Sequence, residues 1–339
     1  MAGGASIAAR AVFSEGLTEI LHGKEADDVK PLKCLDDGVA GYVFDFVPLR
    51  SSLLAESNND NLSTSENQIH FECLPRILPL LEASLTSLPS QKLRLVNSPN
   101  SPHEILRLIQ HIGIDLFDTQ WAQQAADIGV AFDFRFPVAE QALMGEMATG
   151  SRIRKSGKLD LGHNLFDPGY SRDFSGLANS FLDGLCASKN LASADGDIGM
   201  LVCPCAACSP VAQNTSPWPT NSDRVEPTTA DLLPPFTRAY IHHLLHTHEM
   251  TSYALLTMHN LEVLDSFFAG VRSILALPDG LSRFSMEVEK FVKVYDEEML
   301  MLSEARVFWN DVDMARGKGR LARTKGIETE TDTILNPVD

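Results

Sequence analysis

The chain has 339 residues, a formal net charge of −17, 44% hydrophobic and 22% charged residues. That length suits one to three domains with a sizeable core. The composition excludes wholesale disorder, six cysteines over this length exclude a disulfide-dense module, and the negative field repels nucleic acid at long range, so any RNA contact must come from a local basic patch or a partner.

The first twenty residues include Arg10, Glu15 and Glu19 and have no compact apolar run behind a basic start, so they do not read as a signal peptide. No uninterrupted apolar stretch is long enough to span a bilayer. A reducing, intracellular compartment is the default, and there clustered cysteines point to metal rather than disulfide.

The first 135 residues alternate between two textures. Val39–Phe46, Leu93–Val96 and Gly113–Asp118 are short apolar runs suited to buried strands. Between them, residues 70–88 place Leu74, Ile77, Leu78, Leu81 and Leu85 at helical spacing, despite Pro75 and Pro79. Ser101-Pro102 opens a second helix, with Ser as cap and Pro in the first turn, and Gly113 closes it. Strand, helix, strand, helix, strand predicts a parallel α/β sheet.

Residues 58–68 form a polar surface insertion, and 140–200 read as irregular structure with short elements. From Arg238 to Asn310 the pattern is helical almost throughout, with Met250 running continuously into Leu275. Four parts follow: an α/β part over 1–139, a connecting segment over 140–200, a helical metal-binding part over 201–310, and a polar tail over 311–339. No internal repeat is evident.

Cys203, Cys205 and Cys208 fall within one hexapeptide. Thiolates are soft ligands suited to Zn2+, and a tetrahedral site needs a fourth donor. Spacing alone leaves His242, His243, His246, His248 and His259 as candidates. Cys34, Cys73 and Cys186 stand alone and read as small buried hydrophobes. Arg316, Lys318, Arg320, Arg323 and Lys325 crowd the tail. They offer either phosphate contacts or a solvated end partly neutralised by Glu328, Glu330 and Asp332.

The cysteine cluster, then Arg238–Leu244, Met258-His-Asn-Leu261 and Arg272, resemble the zinc subdomain of the tRNA-guanine transglycosylases. Gly3-Gly4 with Arg10, Lys92–Val96 and Gly113–Asp118 are similar to earlier motifs of that family, in the family's order. Asn164-Leu-Phe, Tyr170 and Asp173-Phe174 resemble its branch of eukaryotic accessory subunits. The resemblance implies the C-terminal part of a TIM (β/α)8 barrel, incomplete here, followed by a helical zinc subdomain. It implies Zn2+ held by Cys203, Cys205, Cys208 and His259, with the His242-His243 pair on a helix beside the site. It also implies a heterodimer with the catalytic subunit, tRNA bound together with that partner, and a cytoplasmic location with peripheral association at the mitochondrial outer membrane. Arg238, Arg316, Lys318 and Arg320 become the candidate nucleic-acid contacts.

Catalytic members exchange guanine for queuine at the tRNA wobble position, using an Asp nucleophile that forms a covalent intermediate. Asp118 falls at that position. The family's DSGGFQ segment, which supplies the acid/base, is absent, and so are the Pro-Thr-Arg turn after Asp118 and the glycine-rich base-binding loop, whose place is taken by Gly38–Phe46. The expectation is a non-catalytic subunit with no catalytic residue, Asp118 being structural and Asp115 structural or solvated. The competing readings are a catalytic transglycosylase whose first half is missing from the gene model, and a zinc-bearing RNA-binding module of another kind. The stretch 209–237 is longer than the family's usual connection and rich in Pro, predicting a surface loop.

Overall fold

The computed structural model describes residues 3–57, 66–138, 153–178, 203, 205–208, 211–212, 232–233 and 236–314. Met144, Met147, Cys186, most of the 209–237 stretch, and the basic residues Arg316, Lys318 and Arg320 lie outside the described residues.

Helices α1 (Ile7–Thr18) and α2 (Gly23–Asp28) precede strand β1 (Gly41–Asp45). Helices α3 (Phe46–Ser57) and α4 (Glu66–Leu85), strand β2 (Leu93–Asn97), helix α5 (Pro102–Ile112) and strand β3 (Leu116–Phe117) follow. The three predicted strands form one parallel sheet in the order β1-β2-β3, with Val43 opposite Leu95 and Leu95 opposite Leu116. Helix α4 runs through both prolines as expected. The Ser101 side chain accepts from the Glu104 N–H at 3.0 Å, and Gly113, at φ 70°, ends α5 in the left-handed conformation that a residue without Cβ adopts freely.

Strand alternation divides the sheet into two unlike faces. Tyr42, Phe44 and Val96 point into a core built with Leu49, Leu53, Ile77, Leu81 and Leu108. On the opposite face Val43 is 47%, Leu93 55% and Leu116 44% exposed. Parallel sheets are normally covered on both sides. The described residues thus contain a small parallel sheet with one apolar face open.

Helix α6 (Gln120–Asp127) leads into β4 (Val130–Phe132), which pairs antiparallel with β5 (Gly162–Asn164) in a separate sheet. A two-residue antiparallel pair, β6 (Val211–Ala212) with β7 (Leu232–Leu233), precedes helices α7 (Arg238–His246), α8 (Met250–Leu275) and α9 (Gly280–Val294). The chain is helical again over 300–314. The predicted helical run from Leu281 to Asn310 is therefore interrupted. Leu159 donates its N–H to Val294 O and accepts from Asp296 N–H, each at 2.7 Å, which turns the chain out of the helix. The buried Asp296 carboxylate then accepts from Leu300 N–H at 3.0 Å and restarts it. An aromatic cluster of Trp121, Phe132, Phe134, Phe136, Phe267 and Phe291 joins α6, β4, α8 and α9. No helix among the described residues is long and apolar enough to cross a membrane.

Candidate metal centre

Cys203, Cys205 and Cys208 lie on a tight turn closed by Cys208 N–H donating to Cys205 O at 3.1 Å. That turn faces His259, in the middle of α8. All four side chains are buried, and their ligand atoms lie within 4.8 Å of one another. The three Sγ–Nδ1 distances are 3.7, 3.6 and 3.4 Å. A tetrahedral Zn2+ with bonds of about 2.3 Å to sulfur and 2.05 Å to nitrogen sets the S···N edge near 3.6 Å. The donor set therefore has the chemistry and the dimensions of a closed structural zinc site. Bound there, the ion would cross-link the cysteine turn to α8.

The imidazole is aimed by its other nitrogen. His259 Nε2–H donates to Phe132 O at 2.9 Å, which leaves the Nδ1 lone pair to the thiols. The next residue, Asn260, accepts from Phe132 N–H at 2.8 Å and donates to Val130 O at 2.9 Å and Ala122 O at 3.2 Å. Burial opposes a charged ring, but hydrogen bonds and charge from Cys203 and Cys205 prevail and push metal-free His259 up to about 10. Hydrogen bonds from Cys203 and Cys208 hold the Cys205 thiol below its usual range. A divalent cation would satisfy the same donors without the proton.

The remaining candidate histidines face elsewhere. His242 Nδ1 donates to Leu165 O at 2.8 Å and His246 Nε2 to Phe166 O at 3.2 Å, tying α7 to the segment after β5. His243 is exposed. The expected packing of α7 beside the site holds, since Ile241, Leu244 and Leu245 share one apolar cluster with the three cysteines.

Arg238 departs from its expected place at a nucleic-acid surface: its side chain is 0% exposed. Its guanidinium donates to Asp173 Oδ2 at 3.1 Å and lies 2.8 Å from His163 Nε2, so it has no path to a phosphate. The buried Asp133 and the partly exposed Asp173, on nearby segments, both face the cation, and a sequence offers no sign of that pairing. The structure also brings in residues that sequence reasoning missed, namely Phe132, Asp133 and His163. Asn260 was visible as the neighbour of His259, but its role was not.

Asp118 accepts from the backbone N–H of Ser98 at 2.7 Å and of Gln120 at 3.3 Å, and Asp115 accepts from Arg94 N–H at 2.9 Å. Asp118 thus accepts backbone N–H groups just after β2 and at the start of α6, and Asp115 accepts one from within β2. A pocket of about 470 Å3 opens at the C-terminal ends of β1 and β2, lined by Gly4, Arg10, Val43, Asp45, Ser52 and Asn97. Cys73 is buried, whereas Cys34 is only half-buried, because it begins a short turn whose Asp37 carboxylate accepts from its N–H at 3.3 Å.

A family model described as queuine tRNA-ribosyltransferase matches residues 226–296, which include His259 and all of α7 and α8. Curated relatives match more of the chain. Queuine tRNA-ribosyltransferase accessory subunit 2 of Schizosaccharomyces pombe is 25% identical over 215 residues, covering 63% of this chain and 34% of the relative. The Homo sapiens protein of the same name is 29% identical over 203 residues, covering 58% and 40%. The Aedes aegypti protein is 24% identical over 259 residues, covering 76% and 46%. The chain spans less than half the length of these relatives. Over the helices that carry His259 the chain is similar to the queuine tRNA-ribosyltransferase family model, and over most of its length to proteins named accessory subunit 2 of that enzyme.

Proposed function

We propose that the chain is a zinc-bearing, non-catalytic subunit of queuine tRNA-ribosyltransferase, supporting the exchange of guanine for queuine at the tRNA wobble position. Zn2+ is held by Cys203, Cys205, Cys208 and His259. The observation that carries the non-catalytic reading is Asp118. Both of its carboxylate oxygens accept backbone N–H groups, which suits a loop-holding residue better than a free nucleophile. The relatives' printed name, accessory subunit, supports partnership with a catalytic subunit. The open apolar face of the β1-β2-β3 sheet agrees with a barrel that further strands complete. The complex acts on tRNA in the cytoplasm, with the partner supplying the reacting carboxylates.

The test is radiolabelled guanine exchange into tRNA by the purified chain, alone and with the catalytic subunit. No exchange alone, with exchange by the mixture exceeding that of the catalytic subunit by itself, is the expected result. Exchange by the chain alone, abolished in Asp118→Asn, contradicts the non-catalytic reading.

A further inference from the structure

Arg238 is enclosed completely, yet it lies at the first residue of α7 among polar groups from three other segments. Its guanidinium reaches Asp173 Oδ2 at 3.1 Å, His163 Nε2 at 2.8 Å and Asp133 Oδ2 at 3.7 Å. His163 Nε2 is also 2.8 Å from Asp133 Oδ2, and its Nδ1 is 3.0 Å from the Tyr170 hydroxyl. Buried charge clusters of this kind add little stability over a well-packed apolar replacement. Stability alone is therefore a poor reason for placing a guanidinium here.

Two arms run from this cluster to the Cys3His centre. In the strand arm, Asp133 directly follows Phe132, whose carbonyl receives His259 Nε2–H. His163 grips Asp133 from β5, where it also pairs with Ala131 of β4. In the helix arm, Arg238 N–H donates to Ser175 O at 3.1 Å and Ala239 N–H to Asp173 O at 2.8 Å, which sets the start of α7. The same helix then lays Ile241, Leu244 and Leu245 against the three cysteines. Arg238 is the residue common to both arms.

We propose that Arg238, acting with His163 and Asp133, is a positioning residue for the Cys203–Cys205–Cys208–His259 centre, fixing where the Phe132 carbonyl and helix α7 stand against the ligands. This rests on reading that cluster as a metal centre. Partners beyond the ligands typically tune metal affinity by about ten- to a hundredfold, and Arg238 belongs to that class.

The experiment uses the full chain loaded with Zn2+ or Co2+. It measures the rate of Zn2+ transfer to an excess of chromophoric chelator and the visible absorption of the Co2+ form. Arg238→Lys keeps the charge but loses the planar fork that reaches Asp173 with one nitrogen and His163 with the other. Its Zn2+ transfer should be about tenfold faster or more, and its Co2+ bands should shift. Asp173→Asn, at a partly exposed carboxylate, should act in the same direction by a smaller factor, and decides the matter by the same readouts if Arg238→Lys does not fold. Glu104→Gln breaks the buried ion pair that joins α5 to Arg50 of α3 and touches neither arm, so it should lower stability while leaving transfer rate and spectrum unchanged. An Arg238→Lys protein matching the wild type in both readouts, or Glu104→Gln accelerating transfer equally, overturns the proposal. A wild-type chain that takes up neither metal overturns the metal reading itself, and this assignment with it.

Discussion

His259 and Asn260, adjacent on α8, take hold of the same residue from opposite sides: His259 donates to the Phe132 carbonyl at 2.9 Å and Asn260 accepts from the Phe132 N–H at 2.8 Å. The long helix is thereby fixed against β4 at the point where the imidazole must face the cysteine turn. One residue offers the candidate metal ligand and the other helps set its height against β4.

Replacing Asn260 with Ala strips three buried backbone groups of their partner: Phe132 N–H, Val130 O and Ala122 O. At about 1–3 kcal/mol for each unsatisfied buried group, less whatever relaxation recovers, the expected loss is about 3 kcal/mol. Urea unfolding of the purified variant measures it. A loss below about 1 kcal/mol would mean that other groups or water replace the amide.

Acid should destabilise the fold through its buried histidines. Burial, reinforced by Lys158 and Arg107, lowers His103 from 6.5 to about 3. Burial also lowers His163, with the Arg238 charge adding to it against the opposing pull of Asp133. In both cases the unfolded chain takes up a proton as pH falls through about 6.5 while the folded chain does not. The unfolded state then binds more protons, so this stability is complete above pH 6.5 and is lost on acidification, the His103 share as pH falls toward 3. The urea midpoint of His103→Leu, followed against pH beside the wild type, should decline less steeply between pH 6.5 and 3. Parallel curves would remove His103 from the account.

The open sheet face yields a prediction about association. Val43, Leu93 and Leu116 present exposed apolar side chains on one side of the sheet, and such a face favours assembly or aggregation. Leu116→Glu should leave the folding stability of the isolated chain within about 0.5 kcal/mol, as at other exposed positions. It should also raise the fraction sedimenting as monomer and weaken capture by the catalytic subunit. Sedimentation velocity with and without that subunit reads both. An unchanged profile would show that this face takes no part in assembly.

Much of this was legible in the sequence, because local rules decide it. Ser101, Pro102 and Gly113 mark α5 by capping chemistry alone, and three short apolar runs give three parallel strands. The cysteine cluster announces a metal by its spacing. The choice of His259 over His242 or His243 came from the family's His-Asn pair, and among the described residues it is His259 that lies with the three cysteines in a cluster able to hold a metal ion. What sequence could not show is long-range. Asp133, His163 and Arg238 are far apart in the chain and look like ordinary surface polar residues until the fold brings them together. The break at Tyr295 likewise depends on Leu159, a distant residue that captures the helix end.

The central claim is a metal held by three thiolates and one imidazole, and native mass spectrometry with elemental analysis tests it most directly. The wild-type chain should carry one Zn2+. Cys205→Ser and His259→Ala should each lose most of it, while His243→Ala, at an exposed ring outside the cluster, should retain it. Full zinc retention in His259→Ala, or a wild-type chain purified without zinc that takes up none when it is supplied, would contradict the account.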